Sequence, residues 1–411
     1  MSSQHRPAGS LSKEINTRFP GGIYLDNSAS SSPKAPGCAE TVFQTLSGTT
    51  ANINRGSYSA ENTAGMKIYQ TRELIRRFFD APVDCMPVFM VNITNALSTV
   101  IRGFLNPGDH VIISGLEHHA VTRALTGLGV DYSVIPSCPD GSADPAQFEK
   151  LICPRTKAVI LNHASNVSGT VNPVGEIFET AGKYNLLRVL DTAQSAGTIP
   201  VSMTALHVDV LCFTGHKGLL GPQGTGGMIL SQETADRIRP LICGGTGSIS
   251  AEYTMPDFLP DKFEAGTLNI PGILGLGAAV DWLNSQDLQG IRSREQGFAQ
   301  RFADRISEIP GISVAGGKDY STTRCPVVSA VFEKESGTPQ DTAARLDQEY
   351  GIMLRAGLHC APLAHQTLGT LPEGTLRFSF GPFSMEEEAD AAAAALEEIV
   401  SENRKQKDLA K

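Results

Sequence analysis

Apolar residues fall in short runs along this chain, and each run ends on polar residues. Val208, Val210, Leu211 and Phe213 form one, ahead of Thr214, Gly215, His216, Lys217 and a glycine-rich turn. Leu186 to Leu190 form another, ahead of Asp191. Similar runs begin at Pro87, His110 and Ala158, and Val327 to Phe332 adds one more. Short, nearly continuous apolar runs predict strands buried on both faces, as in a parallel sheet. Between the runs the apolar period changes. Met66, Tyr69, Leu74 and Phe78 predict a core-facing helix over residues 60–80, and the residues after Asn92 predict a helix running to Leu105. From about residue 285 the chain is more charged and predicts helices over 291–309 and 341–349, then an alanine-rich helix over 386–403. This alternation predicts an α/β protein with a large domain over 23–284 and a smaller one over 285–411. Residues 1–22 are polar and read as a loose arm, and no internal repeat is present.

The ends of the strands carry the candidate chemistry. A lysine at the mouth of a buried strand is a poor packing residue, because long cationic side chains are rarely buried without a partner. Condensation with a carbonyl group neutralises it. Taken alone, the tetrapeptide ending in Lys217 fits a strand-capping lysine equally well. Asp191, at the end of the preceding strand, favours the chemical reading, since a carboxylate there can keep a pyridine nitrogen protonated. In an open α/β sheet such strand ends line the ligand crevice. The strand, polar turn and helix around Asn92 also make an anion site, with Thr94 and Asn95 at the free N–H end. His118 and His119 are adjacent, so their side chains diverge and do not read as one metal pair.

Composition narrows the classes. The chain has 411 residues and net charge −9, with no basic footprint, so nucleic acid is excluded as an expected partner. No membrane-length apolar run and no signal peptide are visible, and the expectation is a cytoplasmic protein. The eight cysteines, Cys38, Cys85, Cys138, Cys153, Cys212, Cys243, Cys325 and Cys360, show neither a C-x-x-C nor a zinc spacing and are read mostly as small core residues. Cys360 is the exception: a thiol in a Gly/Pro-flanked loop beside His359 and near Arg355 suits nucleophilic use.

Asp191-Thr-Ala-Gln194 followed by Thr214-Gly-His-Lys217 resembles the cysteine desulfurase and selenocysteine lyase branch of the class V aminotransferase-like pyridoxal phosphate enzymes. Further motifs in the same order extend the resemblance from Tyr24 to Glu388: Tyr24-Leu-Asp26-Asn-Ser28, Asn52-Ile-Asn-Arg55-Gly, Glu117-His118-His119-Ala, His163-Ala-Ser-Asn166, Phe263-Glu-Ala-Gly-Thr267 and Arg355-Ala-Gly-Leu-His359-Cys360-Ala. It implies the aspartate aminotransferase-like fold, type I, with a mostly parallel seven-stranded sheet and a smaller α/β domain. It further implies that Lys217 binds pyridoxal 5'-phosphate, with His118 stacked on the ring and Asp191 at its nitrogen. Asn166 and Gln194 reach the ring oxygen, while Thr94, Asn95, Thr214 and His216 serve the phosphate. Thr267 serves the phosphate of the other subunit, which makes the protein a homodimer with shared sites. Arg377 grips the substrate α-carboxylate, Ser28, Arg55 and Arg355 lie near the substrate, and Cys360 carries a persulfide.

The function implied is conversion of L-cysteine to L-alanine with sulfur passed to an acceptor protein. The alternatives are a selenocysteine lyase acting on L-selenocysteine, a cysteine or cystine C–S lyase, and a non-catalytic sulfur-relay subunit. Two departures from the family stand out. Asn54 replaces the usual histidine, and the loop after Lys217, Gly-Leu-Leu-Gly-Pro, is one residue longer than the commonest form.

Overall fold

The computed structural model describes residues 10–48, 52–53, 58–320 and 324–409. The described chain opens on the helix Ser10–Arg18 and a short strand, β1 (Ile23–Tyr24). Seven strands follow: β2 (Cys85–Met90), β3 (His110–Ile113), β4 (Asp131–Val134), β5 (Thr156–Asn162), β6 (Leu187–Asp191), β7 (Val210–Thr214) and β8 (Gly226–Ser231). They form one sheet in the order β2-β8-β7-β6-β5-β3-β4. Only β8 runs against the others, so the sheet is mostly parallel as expected.

Alternate residues of these strands enter two different cores. Leu190, Leu211 and Phe213 face one layer of helices, which includes Ser59–Phe78 and Ile270–Asn284. Val189, Val210 and Cys212 face the other, with Ile93–Phe104 and His119–Leu128. Burial on both faces explains why the strands read as nearly unbroken apolar runs. The carboxyl ends of β3, β5, β6 and β7 therefore open on one edge, the usual place for a ligand in such a sheet.

The rest of the chain builds a smaller lobe. Its strands β9 (Ile312–Val314), β10 (Val327–Phe332), β12 (Arg355–Gly357) and β13 (Thr375–Ser379) form an antiparallel sheet in the order β12-β13-β10-β9, and β11 (Ile352–Met353) pairs in parallel with β1. The helices Leu288–Ser307, Pro339–Tyr350 and Glu386–Leu409 cover it, the last extending beyond the expected 386–403. Phe302 stacks on Phe378 with ring centroids 4.5 Å apart at the centre of this core.

Several expectations are corrected. Over residues 10–18 the arm expected to be loose is a helix, and its buried Ile15 joins Ile23 and Leu25 in the core of the smaller lobe. A few well-placed apolar side chains, Ile15 with Leu11 and Phe19, and the β1–β11 pairing fix a segment whose composition is polar. The helix Ser59–Phe78 forms, but it turns a different face inward. Ile68, Thr71, Arg72 and Ile75 are buried, whereas Met66 and Tyr69 are each 57% exposed. The reason is an ion pair. Arg72 donates to both carboxylate oxygens of Glu264, which also accepts from the Phe89 N–H, and this buried network captures the face that an apolar count assigns to solvent. Of the eight cysteines, Cys38, Cys85, Cys212 and Cys325 are buried, while Cys243 and Cys360 are exposed. Among the described residues no helix is long and apolar enough to cross a membrane.

The Arg72–Glu264 pair gives a direct test of the fold. Arg72→Ala strands a buried carboxylate and is expected to cost about 3–5 kcal/mol. Replacing both partners, as in Arg72→Met with Glu264→Leu, should recover most of that loss. Denaturant unfolding followed by circular dichroism measures both.

Candidate active site

Two adjacent strands bring the two central side chains together. Asp191 closes β6 and is 4% exposed, with one carboxylate oxygen accepting the Ala193 N–H at 2.8 Å. Lys217 lies three residues beyond β7, and the loops that carry them touch backbone to backbone. A Cβ at Gly197 or at Gly218 would collide with the other loop's main chain, so glycine at both positions permits this approach. Burial pushes the Asp191 carboxyl up, opposed by the Ala193 N–H and by Lys217. Desolvation lowers Lys217 to about 8, with Arg377 and Arg355 acting in the same direction and Asp191 and Asp26 against it. Lys217 is accordingly a weak cation, close to neutrality under mildly basic conditions. The longer loop after it tucks Leu219 and Leu220 into the core, with Leu220 in the left-handed region at φ 57° and its N–H bonded to the Lys217 carbonyl at 2.8 Å.

Lys217 and Asp191 line a cavity of about 180 Å³ together with Thr94, His118, Asn166, Gln194, Thr214 and His216. His118 accepts the Ala120 N–H on Nδ1, and burial lowers it to about 4, so the neutral ring carries its proton on Nε2. Burial also holds His216 at about 4. At one end of the cavity the helix Ile93–Phe104 begins, capped by the Asn92 side chain, which accepts the Asn95 N–H at 2.9 Å. Asn95 thus serves the cap, and it is absent from the cavity lining that includes Asn92, Ile93 and Thr94. The remaining first-turn N–H groups suit an anion, and the Asn95 side chain lies outside the lining at that end.

A second group of residues, outside the cavity lining itself, is bonded to its wall from the smaller lobe. Arg377, 2% exposed, donates from Nη1 to the Asn166 carbonyl at 3.0 Å and from Nη2 to Asp26 at 2.8 Å. Arg355 pairs with the other oxygen of Asp26 at 3.3 Å. The Cys360 loop is tied to the large lobe at two points. The Cys360 carbonyl accepts the His119 N–H at 2.8 Å, and the His359 carbonyl accepts Asn166 Nδ2 at 2.7 Å. His359 and Cys360 both adopt positive φ, 48° and 58°, and the thiol is exposed. Burial lowers His359 to about 2, so its ring is neutral and bonds Thr375 through Nε2 at 3.0 Å.

Some expected residues stand apart from the cavity. Ser28 lines a neighbouring hollow with Gln194 and Lys217, and its carbonyl accepts Gln194 Nε2 at 3.0 Å. Thr267 is exposed and outside the cavity lining. Arg55 falls outside the described residues. Sequence reasoning missed Asp26, although it stands in the quoted Tyr24-Leu-Asp26 motif. A charged residue leaving an apolar strand toward two distant arginines was the available signal.

The aminotransferase class-V family model matches residues 23–392. The chain belongs to that family. A class-V relative described as a probable cysteine desulfurase from Methanothermobacter thermautotrophicus is 34% identical over 385 residues, 92% of this chain and 94% of that protein. Among solved structures, the apo structure of a cysteine desulfurase from Thermococcus onnurineus superposes with a TM-score of 0.83 at 30% identity, covering 98% of this chain and all of the other. The Escherichia coli cysteine desulfurase CsdA, in its S-sulfonic acid form, gives a TM-score of 0.81 at 26% identity over 95% of this chain and 98% of its own.

As a class-V member the protein is a pyridoxal phosphate enzyme, and its cavity fits that group. Asn166 Oδ1, Thr214 Oγ1 and His216 Nδ1 are buried there without hydrogen-bond partners. A phosphate and a ring hydroxyl are polar enough to satisfy them, and the helix start at Ile93 suits the phosphate. Asp191 would hold the ring nitrogen and Lys217 the aldehyde carbon. A neutral amine is needed for capture, and an amine held at about 8 loses its proton as pH rises through that value. Capture of pyridoxal phosphate by the cofactor-free protein should therefore accelerate about tenfold per pH unit below 8 and level off above it. Growth of the bound cofactor's visible absorption across pH 6.5 to 9 measures this; a flat profile contradicts it.

Proposed function

We propose that this class-V enzyme is a cysteine desulfurase, which converts L-cysteine to L-alanine and leaves the sulfur as a persulfide on Cys360. One observation carries the reading. The loop of an exposed thiol is hydrogen-bonded into the pocket wall at Asn166 and beside His118. The relatives described as cysteine desulfurases support the same chemistry.

Arg377 holds the substrate α-carboxylate, using a guanidinium whose Nε is buried and has no partner. Bound pyridoxal phosphate supplies an electron sink for negative charge at the substrate Cα. Lys217, as the free amine, takes the Cα proton, and its depressed pKa keeps it competent near neutrality. His118, neutral with its proton on Nε2, lines the same cavity as Lys217 and would donate from there. The Cys360 thiolate then attacks the substrate sulfur. An S–S bond forms as the substrate C–S bond breaks, its electron pair stays on carbon, and that carbon is protonated. Thiol plus cysteine gives persulfide plus alanine, and the sulfur passes to an acceptor protein that reaches the exposed loop. All eight cysteines are unpaired, which supports a reducing, cytoplasmic setting. Thr267, exposed on the loop before Ile270–Asn284, supports a homodimer in which it serves the partner's phosphate site.

Cys360→Ala should retain the cofactor absorption and lose alanine formation from cysteine by at least about a hundredfold. Alanine formation from selenocysteine should survive in that variant, because a selenol departs without covalent help. Lys217→Ala should lose the visible absorption of the bound cofactor. Turnover of cysteine by Cys360→Ala at the parent rate would refute the persulfide step.

Sedimentation of the holoenzyme should give twice the chain mass. Thr267→Ala should weaken retention of pyridoxal phosphate on dialysis; a monomer with unaltered cofactor retention would exclude the shared site.

A further inference from the structure

Arg355 and Arg377 are direct cross-strand neighbours in the β12–β13 pairing. Like charges facing each other in this register repel. The carboxylate that separates them comes from far away in sequence. Asp26 gives one oxygen to Arg377 at 2.8 Å and the other to Arg355 at 3.3 Å. Its backbone is fixed on both sides. Leu25 bonds the Met353 carbonyl at 2.8 Å, Asp26 bridges to Ser379, and the Tyr24 hydroxyl donates to the Asp26 and Ser30 carbonyls at 3.3 and 2.7 Å. Two guanidinium groups and one carboxylate leave the cluster with a single net positive charge. Arg377 Nε, buried and unpartnered, is free to accept one more anion. All three groups act on Lys217, so the charge lies within reach of the reacting centre.

We propose that Asp26 is a specificity-determining residue. It sets the arginine pair to accept one carboxylate and thereby selects amino acids with a neutral side chain over those with a second acidic group. This rests on Arg377 as the α-carboxylate grip. A second anionic group on the substrate would need Arg355, and Asp26 already occupies it. Removing the Asp26 charge frees Arg355 and raises the cluster by one unit. At a partly exposed site one unit charge is worth about a factor of ten in affinity for an added anion.

The test uses unreactive acids on the intact holoenzyme, so it does not depend on desulfurase turnover. Isothermal titration compares propionate, with one carboxylate, and succinate, with two. In Asp26→Asn the ratio of succinate to propionate affinity should rise about tenfold. In Asp26→Asn combined with Arg355→Gln, which restores the charge count, it should return to within about twofold of the parent. Thermal unfolding and cofactor absorption check that each variant is folded. Should Asp26→Asn not fold, Arg355→Gln alone keeps the question open, since Arg355 is half-exposed and its loss should lower the same ratio about tenfold. A ratio that is unchanged in the folded variants overturns the role of Asp26 alone. Failure of propionate to bind the parent enzyme overturns the carboxylate grip of Arg377, and this inference with it.

Discussion

The site depends on placing several like charges around one amine without letting them repel the fold apart. The amine of Lys217 and the guanidinium groups of Arg377 and Arg355 converge from different elements, and Asp191 and Asp26 are the carboxylates that compensate them among the described residues. Asp191 arrives on the strand next to that of the lysine, so the sheet itself supplies one partner. Asp26 does not. It enters from the first described segment after a helix and a two-residue strand, and its position is fixed by the smaller lobe.

The stretch after Asp26 stitches the two lobes together at the site. Asn27 Nδ2 donates to the Ser379 carbonyl, two residues beyond Arg377, at 3.0 Å. The Ser31 N–H and Lys34 Nζ both reach the His216 carbonyl at 2.9 Å, one residue before Lys217. A single short segment therefore sets the spacing between Arg377 and the amine. Positioning of this kind matters because an error of about 1 Å in a reacting pair costs about a hundredfold in rate.

The Cys360 loop is held under backbone strain. Two consecutive non-glycine residues sit at positive φ, a conformation costing of order 1–3 kcal/mol per residue. The hydrogen bonds from His119 and Asn166 to the loop carbonyls, and the Thr375 contact of His359, offset it. Burial keeps His359 neutral, and a cation there would also face Arg377 and Arg355. The loop is thus tied down at its base while its thiol stays exposed.

The sequence by itself determined the sheet and the amine. Strands buried on both faces leave unbroken apolar runs, and chemistry at their ends is local in sequence, so Asp191 and Lys217 were legible from their own segments, while Gln194, Thr214 and His216, which line the same cavity, were named only through the family resemblance. Tertiary structure decided what had no local cause. The inward face of Ser59–Phe78 turned on the Arg72–Glu264 pair, whose members lie far apart along the chain, and the helix Ser10–Arg18 docks through Ile15 and Leu11 and through the Asn16 bond to the Glu349 carbonyl. Asn95 lies outside the cavity lining with its N–H taken by Asn92, and an Asn92 cap and a phosphate contact look alike in sequence. Asp26 went unread because a carboxylate next to a strand declares a partner only when the two arginines opposite it are brought within 4 Å. Pattern reports what a residue does to its own element; the pairing of charges between elements is set by packing.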